Sequence, residues 1–233
     1  QGSITSTGKI GYLPQDPKSG DLATTARDRI LGARGLDEAL TVLDGLMRGE
    51  TVNFDGEFYQ INGLEGSPRP RQGPRPPIAV GGGGPKMLAL AAKHADIISV
   101  APGTTTDGKM KLSDMTIEKT AERVDRIRQA AGDRFDELEL NWTIAVIVIT
   151  DDRVATAEMA LKALEQGYPP NIAHDTEFTV DDVLTSPYIA IGSFDEIADQ
   201  IREVRRRTTM SYVGVFPTQM DAFAPVLAQL KGE

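Results

Sequence analysis

From residue 77 onward the sequence alternates short apolar runs with amphipathic helical segments, and this alternation limits the possible folds more than any other feature. Such a βα alternation predicts a parallel sheet, either closed as a barrel or open and doubly wound. We expect the four apolar runs to be parallel neighbours in one sheet. These runs cover residues 78–80, 97–100, 143–149 and 212–216, and the helices that follow them are predicted at 85–94, 116–131, 154–166 and 220–230.

The run at 143–149 is the strongest strand signal in the chain. Its sequence, TIAVIVI, is continuously apolar. Continuous apolarity is typical of a strand that is buried on both faces of a parallel sheet. We therefore expect this strand to be buried on both faces.

The segments outside the alternation are assigned separately. Apolar residues at three- and four-residue spacing predict a helix over 36–48, and the dipeptide Asp55-Gly56 predicts a tight hairpin turn. Residues 66–77 hold five prolines and are expected to be irregular. We treat residues 1–233 as a single α/β domain with an irregular start at 1–35 and an excursion at 167–191. The excursion contains a short helix near residues 180–184.

The composition excludes several classes of function. The 34 acidic and 25 basic residues give a net charge of -9, which repels nucleic acid and anionic membranes unless a local basic patch overrides it. The absence of cysteine excludes disulfides and thiolate metal sites, and two histidines cannot form a His-rich metal cluster. No apolar run approaches the roughly 20 residues that span a bilayer. We expect no metal, no nucleic acid and no membrane partner, and a cytoplasmic location.

The glycine run at residues 81–84 is the outstanding candidate site. It follows the strand residue Val80 and precedes Pro85 at the start of a predicted helix, an arrangement that offers bare backbone N–H groups to a phosphate. Neither a Walker sequence nor a dinucleotide fingerprint is present. The alternative is a turn that serves close packing alone. Gly83→Asp is expected to prevent binding of the phosphate and to lower stability by only about 1–2 kcal/mol.

Other polar or aromatic candidates have a structural interpretation that we favour. His94 is expected to be packed and His174 to be exposed in a loop, while Trp142 is expected in the core. The arginines at 202–207 are typical of a solvated helix end. The aspartate pairs at 151–152 and 181–182 are expected to begin helices rather than to bind a metal.

Several motifs occur in an order that resembles the luciferase-like monooxygenase family. They are Tyr59, PRPRQGP at 68–74, Pro77, the glycine run, AAKHAD at 91–96 and IGSFDEI at 191–197. The resemblance implies a (β/α)8 TIM-barrel-like fold that binds coenzyme F420 or FMN, and the ending at 216–230 is most similar to the F420-dependent branch.

The resemblance also implies which residues bind the cofactor. The turn matching Gly82, Gly83 and Gly84 holds the cofactor phosphate through backbone amides, and Val80 and Gly81 lead into that turn. The strand matching Val100 and Ala101 lines the same site. No catalytic residue is assigned, because those of the family would precede the residues that match.

Only four or five convincing parallel strands are predicted, whereas eight close a barrel. Either upstream strands lie outside this sequence, or the chain is a shortened member whose unpaired sheet edges favour a homodimer. The leading interpretation is an oxidoreductase that uses F420 or FMN for hydride transfer with a small organic substrate. The alternatives are a non-catalytic shortened relative that binds a flavin or another small molecule, and a structural subunit.

Overall fold

The computed structural model describes residues 26–232, with side chains from Gly35 onward. The first helix, α1 (Ala26–Met47), begins well before the predicted start at residue 36. Residues 26–35 are therefore helical rather than irregular, because a glycine inside a helix costs about 1 kcal/mol without ending it. The rest of the predicted irregular start lies outside the described residues.

An antiparallel hairpin follows, formed by β1 (Thr51–Asp55) and β2 (Gln60–Glu65). Its connection covers residues 56–59, so the turn is longer than the two residues predicted. The longer turn is held by a carboxylate of α1. Glu38 of α1 accepts hydrogen bonds from the backbone N–H groups of Glu57 and Phe58, each at 2.9 Å, and from that of Tyr59 at 3.2 Å.

A four-stranded parallel sheet forms the centre of the structure. Its strand order is β10-β6-β4-β3, and all three pairings are parallel. The predicted parallel neighbours are thus confirmed for the part of each run that lies in this sheet. The strands are β3 (Ala79–Gly82), β4 (Ile97–Val100), β6 (Glu139–Ile144) and β10 (Tyr212–Val215).

The strong apolar run does not form one strand. It is divided at Ala145, whose N–H donates to the carbonyl of Tyr188 at 2.8 Å. Its second half, β7 (Val146–Ile149), leaves the central sheet and pairs in parallel with β9 (Ile189–Gly192). Burial on both faces was therefore the wrong expectation, since Val148 and Ile149 remain 37% and 38% exposed.

The segment 167–191 is more regular than expected. It contains the helix α5 (Val180–Thr185), where a short helix was predicted, and it also contains most of β9. A two-residue strand, β8 (Ile172–Ala173), pairs with β5 (Met110–Lys111). The sequence lacked a clear period here because β9 is buried at all four positions, so it shows no alternation to read.

Helices cover one face of the central sheet, and the main core lies between the two layers. Leu140, Trp142 and Ile144 of β6 point into this core, and the indole N–H of Trp142 donates to the carbonyl of Pro187 at 3.1 Å. Trp142 is 1% exposed, in agreement with a core role. The covering helices are α2 (Pro85–His94), α3 (Ile117–Ala131), α6 (Phe194–Thr208) and α7 (Met220–Leu230). A second core lies beneath α4 (Arg153–Glu165) and α5.

A buried arginine joins the proline-rich segment to the sheet. Arg75 forms ion pairs with Asp44 of α1 and with Asp96. Burial alone would raise the pKa of Asp96, but hydrogen bonds from Arg75 and from the N–H of Ile78 outweigh it and lower that pKa below its ordinary value. The same opposition of burial and arginine hydrogen bonds lowers the pKa of Asp44.

The sheet does not close into a barrel. Within residues 26–232, β3 and β10 form its two edges, and neither has a partner on its outer side. The sheet has four strands in this range, whereas a closed (β/α)8 barrel has eight. None of the helices in this range is both long and apolar enough to cross a bilayer.

Candidate functional site

A cleft of about 630 Å³ opens where β3 and β4 end. This is the carboxyl end of the parallel strands, where ligands bind in folds of this type. Its walls come from the glycine run, the segment after β4, and one face of α3. The lining residues are Gly81–Gly84, Pro85, Met87, Ala101, Pro102, Gly103, Thr104, Lys111, Asp114, Lys119, Glu122, Arg123 and Arg126.

The glycines of the turn differ in the room that a side chain would have. A Cβ on Gly83 would overlap the backbone of Ala101 and Pro102, and a Cβ on Gly82 would meet only the flexible side chain of Met87. At Gly84 nothing lies within 4 Å of the Cβ position. Packing therefore requires glycine at position 83, whereas position 84 is open to the cleft.

This geometry changes the expected effect of a substitution at Gly83. A surface position with a cost of only 1–2 kcal/mol was expected, but the side chain would push apart two backbone segments. The physical reason is that the turn packs directly against the strand end of β4. Gly84 is the position at which a side chain can be added without a clash.

Gly84 is also the N-cap of α2. Its backbone is extended, with φ -81° and ψ 148°, and no side chain caps the helix. Pro85 has no N–H, and the first-turn N–H groups of Lys86 and Met87 have no acceptor within the helix. The partial positive charge of the helix terminus adds to these donors. The turn can therefore accept a phosphate or a carboxylate.

The cleft is cationic although the whole chain is acidic. Lys111, Lys119, Arg123 and Arg126 line it, against the two carboxylates of Asp114 and Glu122. The lining therefore carries an excess of two positive charges, in contrast to the net charge of -9 for the chain. A local excess of this kind attracts anionic ligands.

An ion pair fixes the wall opposite the glycine turn. The guanidinium of Arg123, whose side chain is 6% exposed, lies 2.7 Å from the carboxylate of Asp114 and also donates to the Asp114 carbonyl at 2.9 Å. Asp114 in turn accepts a hydrogen bond from the N–H of Gly103 at 3.0 Å. The segment after β4 is thereby attached to α3.

The predicted cofactor-binding residues separate into two groups. Gly81, Gly82, Gly83, Gly84 and Ala101 all line the cleft. Val80 and Val100 do not. Val80 is partly buried and packs against the main core, and Val100 is 1% exposed and lines a smaller neighbouring cleft of about 150 Å³.

The smaller cleft continues onto the face of the sheet that the helices leave uncovered. Small and polar residues occupy this face. The hydroxyl of Ser99 donates to the Asn141 side chain at 2.8 Å, and the Asn141 amide donates to the Tyr212 carbonyl at 3.0 Å. Such a surface offers hydrogen-bonding groups to a polar ring system laid across it.

Sequence reasoning missed the cationic wall. Glu122 and Arg123 lie three and four residues after Lys119 and four and three residues before Arg126, which places all four on one face of α3. This periodicity is visible in the sequence. It could not be distinguished from an ordinary solvated face, because the cleft it borders is created by the packing of α3 beside β3 and β4.

The remaining candidates have structural roles. His94 Nε2 lies 2.6 Å from Asp37 Oδ1, which joins α2 to α1, and His174 is exposed. Asp152 caps α4, and Asp182 forms a capping box with Thr179. Among residues 26–232, no three or more His, Asp or Glu side chains are grouped so as to hold a metal ion.

A family comparison identifies the relatives of this arrangement. The model of the family described as luciferase-like monooxygenase matches residues 31–211, which is well over half of the chain. The chain belongs to the luciferase-like monooxygenase family. The match contains the glycine turn, the cationic wall and the whole cleft.

Two curated proteins are similar in sequence to this chain. The F420-dependent glucose-6-phosphate dehydrogenase of Gordonia bronchialis is 24% identical over 171 residues, covering 72% of this chain and 49% of that protein. The 5,10-methylenetetrahydromethanopterin reductase of Archaeoglobus fulgidus is 28% identical over 159 residues, covering 66% and 44%. This chain thus spans about half the length of the curated relatives it matches.

Solved structures share the fold. The coenzyme F420-dependent tetrahydromethanopterin reductase from Methanopyrus kandleri has a TM-score of 0.55 at 16% identity, covering 79% of this chain and 58% of that one. Riboflavin lyase, solved with a modified FMN, has a TM-score of 0.53 at 19% identity, covering 77% and 48%. The fold class of a TIM-barrel-like α/β protein is therefore confirmed, with a barrel that is not closed in the described part of the chain.

Proposed function

We propose that this chain is an oxidoreductase subunit that binds the phosphate of F420 or FMN at the glycine turn. The observation that carries the proposal is the open position at Gly84, on an uncapped helix terminus, inside a cleft with surplus positive charge. Both cofactors carry a phosphate, and both occur among the named relatives.

The residues of this chain fit such a cofactor in two ways. The turn at 81–84 supplies backbone donors for the phosphate, and Gly83 lets this turn pack directly against the backbone of Ala101 and Pro102. Next to the turn, the uncovered sheet face carries Ser99 and Asn141, which can hydrogen-bond to the polar edge of a ring system. The cofactor supplies the hydride chemistry when it is bound, and the protein holds and orients it.

The proposed reaction transfers a hydride between the cofactor and a carbon atom of a small organic substrate. A hydride carries two electrons and one proton, so the substrate carbon is oxidised when the cofactor is reduced, and the reverse. The chain's contribution is to fix the cofactor phosphate, because a fixed anchor limits the positions that the ring can adopt.

The proposal is tested by comparing FMN with riboflavin, which lacks the phosphate. We expect FMN to bind the wild-type protein at least about tenfold more tightly in a fluorescence titration, since charge-assisted hydrogen bonds contribute about 1.5–3 kcal/mol. F420 is titrated in parallel. Equal affinities for FMN and riboflavin would show that the turn does not hold a phosphate.

A non-catalytic binding protein is the second candidate. The unpaired edges of β3 and β10 favour it, because the strands that would complete the wall around a cofactor are not among residues 26–232. Turnover separates the two functions. Oxidation of reduced cofactor by a panel of small organic acceptors supports the oxidoreductase, whereas tight cofactor binding without any turnover supports the binding protein.

A further inference from the structure

We propose that the α3 wall of the cleft is a second anion subsite, which binds a carboxylate or phosphate group other than the one at the glycine turn. The inference rests on the proposed function, since it concerns the same cleft. It adds a preference between the two cofactors. A ligand with several anionic groups should be favoured over FMN, which has a single phosphate.

The first observation is the balance of charges on this wall. Lys119 pairs with Glu122 at 2.9 Å, and Arg123 pairs with Asp114 at 2.7 Å. In each pair the positive and the negative charge cancel. They account for both carboxylates of the lining.

Two cations are then left over. Neither Lys111 nor Arg126 forms a side-chain hydrogen bond or an ion pair with any side chain in the described part of the protein. They belong to different elements, since Lys111 ends β5 and Arg126 lies on α3. Asp175 lies near enough to Lys111, and Glu122 to Arg126, for electrostatic attraction, but neither carboxylate forms an ion pair with these cations. Convergence of two such cations on one cleft, in a chain of net charge -9, indicates an anionic group of the ligand.

The second observation is the size of the cleft. Its volume of about 630 Å³ lies well within the range of about 300–1,000 Å³ that holds whole small ligands. A phosphate at the N-terminus of α2 would occupy one end of this space. The remainder extends along the α3 face that carries Arg126.

The buried pair of Arg123 and Asp114 gives this subsite a rigid frame. Because Arg123 is almost fully buried and Asp114 also accepts a hydrogen bond from the N–H of Gly103, the segment after β4 is held against α3. Arg126 lies three residues beyond Arg123 on the same helix face. A guanidinium in that position can bind a carboxylate or a phosphate through two parallel hydrogen bonds.

The test uses Arg126→Gln, Lys111→Gln and the double variant, with Lys86→Gln as the matched control. Lys86 lies at the start of α2, next to the glycine turn, but does not line the cleft. Its loss therefore removes one nearby positive charge without touching the subsite. F420, which carries carboxylates beyond its phosphate, and FMN are the two probes, titrated by fluorescence at low and at moderate salt.

We expect Arg126→Gln and Lys111→Gln each to weaken F420 binding by about tenfold at low salt, and FMN binding by less than about twofold. The F420 affinity of the wild type should also fall more steeply with salt than its FMN affinity does. Lys86→Gln should change the two affinities equally. An equal loss for both cofactors in the Arg126 variant would overturn the subsite. No loss for either cofactor, together with pyrophosphate binding that does not depend on Arg126, would overturn it as well.

A third titration identifies the source of the anion. Pyrophosphate is added to wild-type protein and to Arg126→Gln, both saturated with FMN. Binding that depends on Arg126 in this experiment, without an effect on F420, supports the subsite and assigns it to a separate anionic substrate. Failure of the proposed function is recognised independently, because FMN and riboflavin would then bind equally well to the wild type.

Discussion

Replacing Gly84 with aspartate places a carboxylate where the phosphate is proposed to bind. Position 84 is suited to this change because its Cβ would have no neighbour within 4 Å and its backbone is extended, with φ -81°. Aspartate is also one of the best N-cap residues. The variant should therefore fold at least as well as the wild type, with a free energy of unfolding higher by about 0.5 kcal/mol.

FMN affinity should fall strongly in this variant, although its stability rises slightly. Two like charges about 4 Å apart repel by about 1 kcal/mol in water and about 4 kcal/mol at a protein surface. The new carboxylate would also accept the same helix-terminal N–H groups that the phosphate needs. We expect Gly84→Asp to weaken FMN binding by roughly fivefold to several hundredfold.

Gly84→Ser is the matched control, since serine caps a helix without adding charge. It should keep FMN affinity within about threefold of the wild type. Fluorescence titration gives the affinities, and circular dichroism with urea unfolding gives the stability of each variant. A folded Gly84→Asp protein that binds FMN as tightly as the serine variant would refute the phosphate site.

Three further predictions follow from the charges and edges of the fold. Arg123→Met should lower the free energy of unfolding in urea by about 3 kcal/mol, because it leaves the partly buried carboxylate of Asp114 without its partner; an unchanged midpoint would contradict this. Since the pKa of Asp96 is lowered in the folded state, its contribution to stability is complete above about pH 4 and is lost as pH falls through the folded pKa. Urea midpoints measured from pH 7 to pH 3 should show this loss in the wild type and a smaller one in Arg75→Met. The β3 and β10 edges, unpaired among residues 26–232, predict a homodimer, so light scattering at micromolar concentration should give twice 25.1 kDa rather than the monomer mass.

The contrast between Gly83 and Gly84 shows how much of a site depends on packing. In the sequence the two glycines are equivalent members of one run. In the structure Gly83 is required by the backbone of Ala101 and Pro102, whereas Gly84 is bare without any steric need. The structure therefore moves the informative substitution from one glycine to its neighbour, although the two are adjacent in the chain.

The sequence by itself determined those features that local chemistry controls. The helices of the βα alternation begin and end within a residue of their predicted limits, and the last one, Met220–Leu230, matches fully. The parallel pairing of the strands was predictable for the same reason, and the motif at 191–197 contains the capping box of Ser193 and Glu196. Periodicity, capping residues and βα connections depend on neighbours in the chain, and neighbours are visible in a sequence.

Only the tertiary structure decided where the apolar run divides and which cations face the glycine turn. Val146–Ile149 pairs with β9, whereas the residues just before it belong to the central sheet. The change occurs where the N–H of Ala145 donates a hydrogen bond to the carbonyl of Tyr188. Lys111 and Arg126 reach one cleft from separate elements. Contacts between residues far apart in the chain decide both features, and such contacts leave no period or motif for sequence analysis to detect.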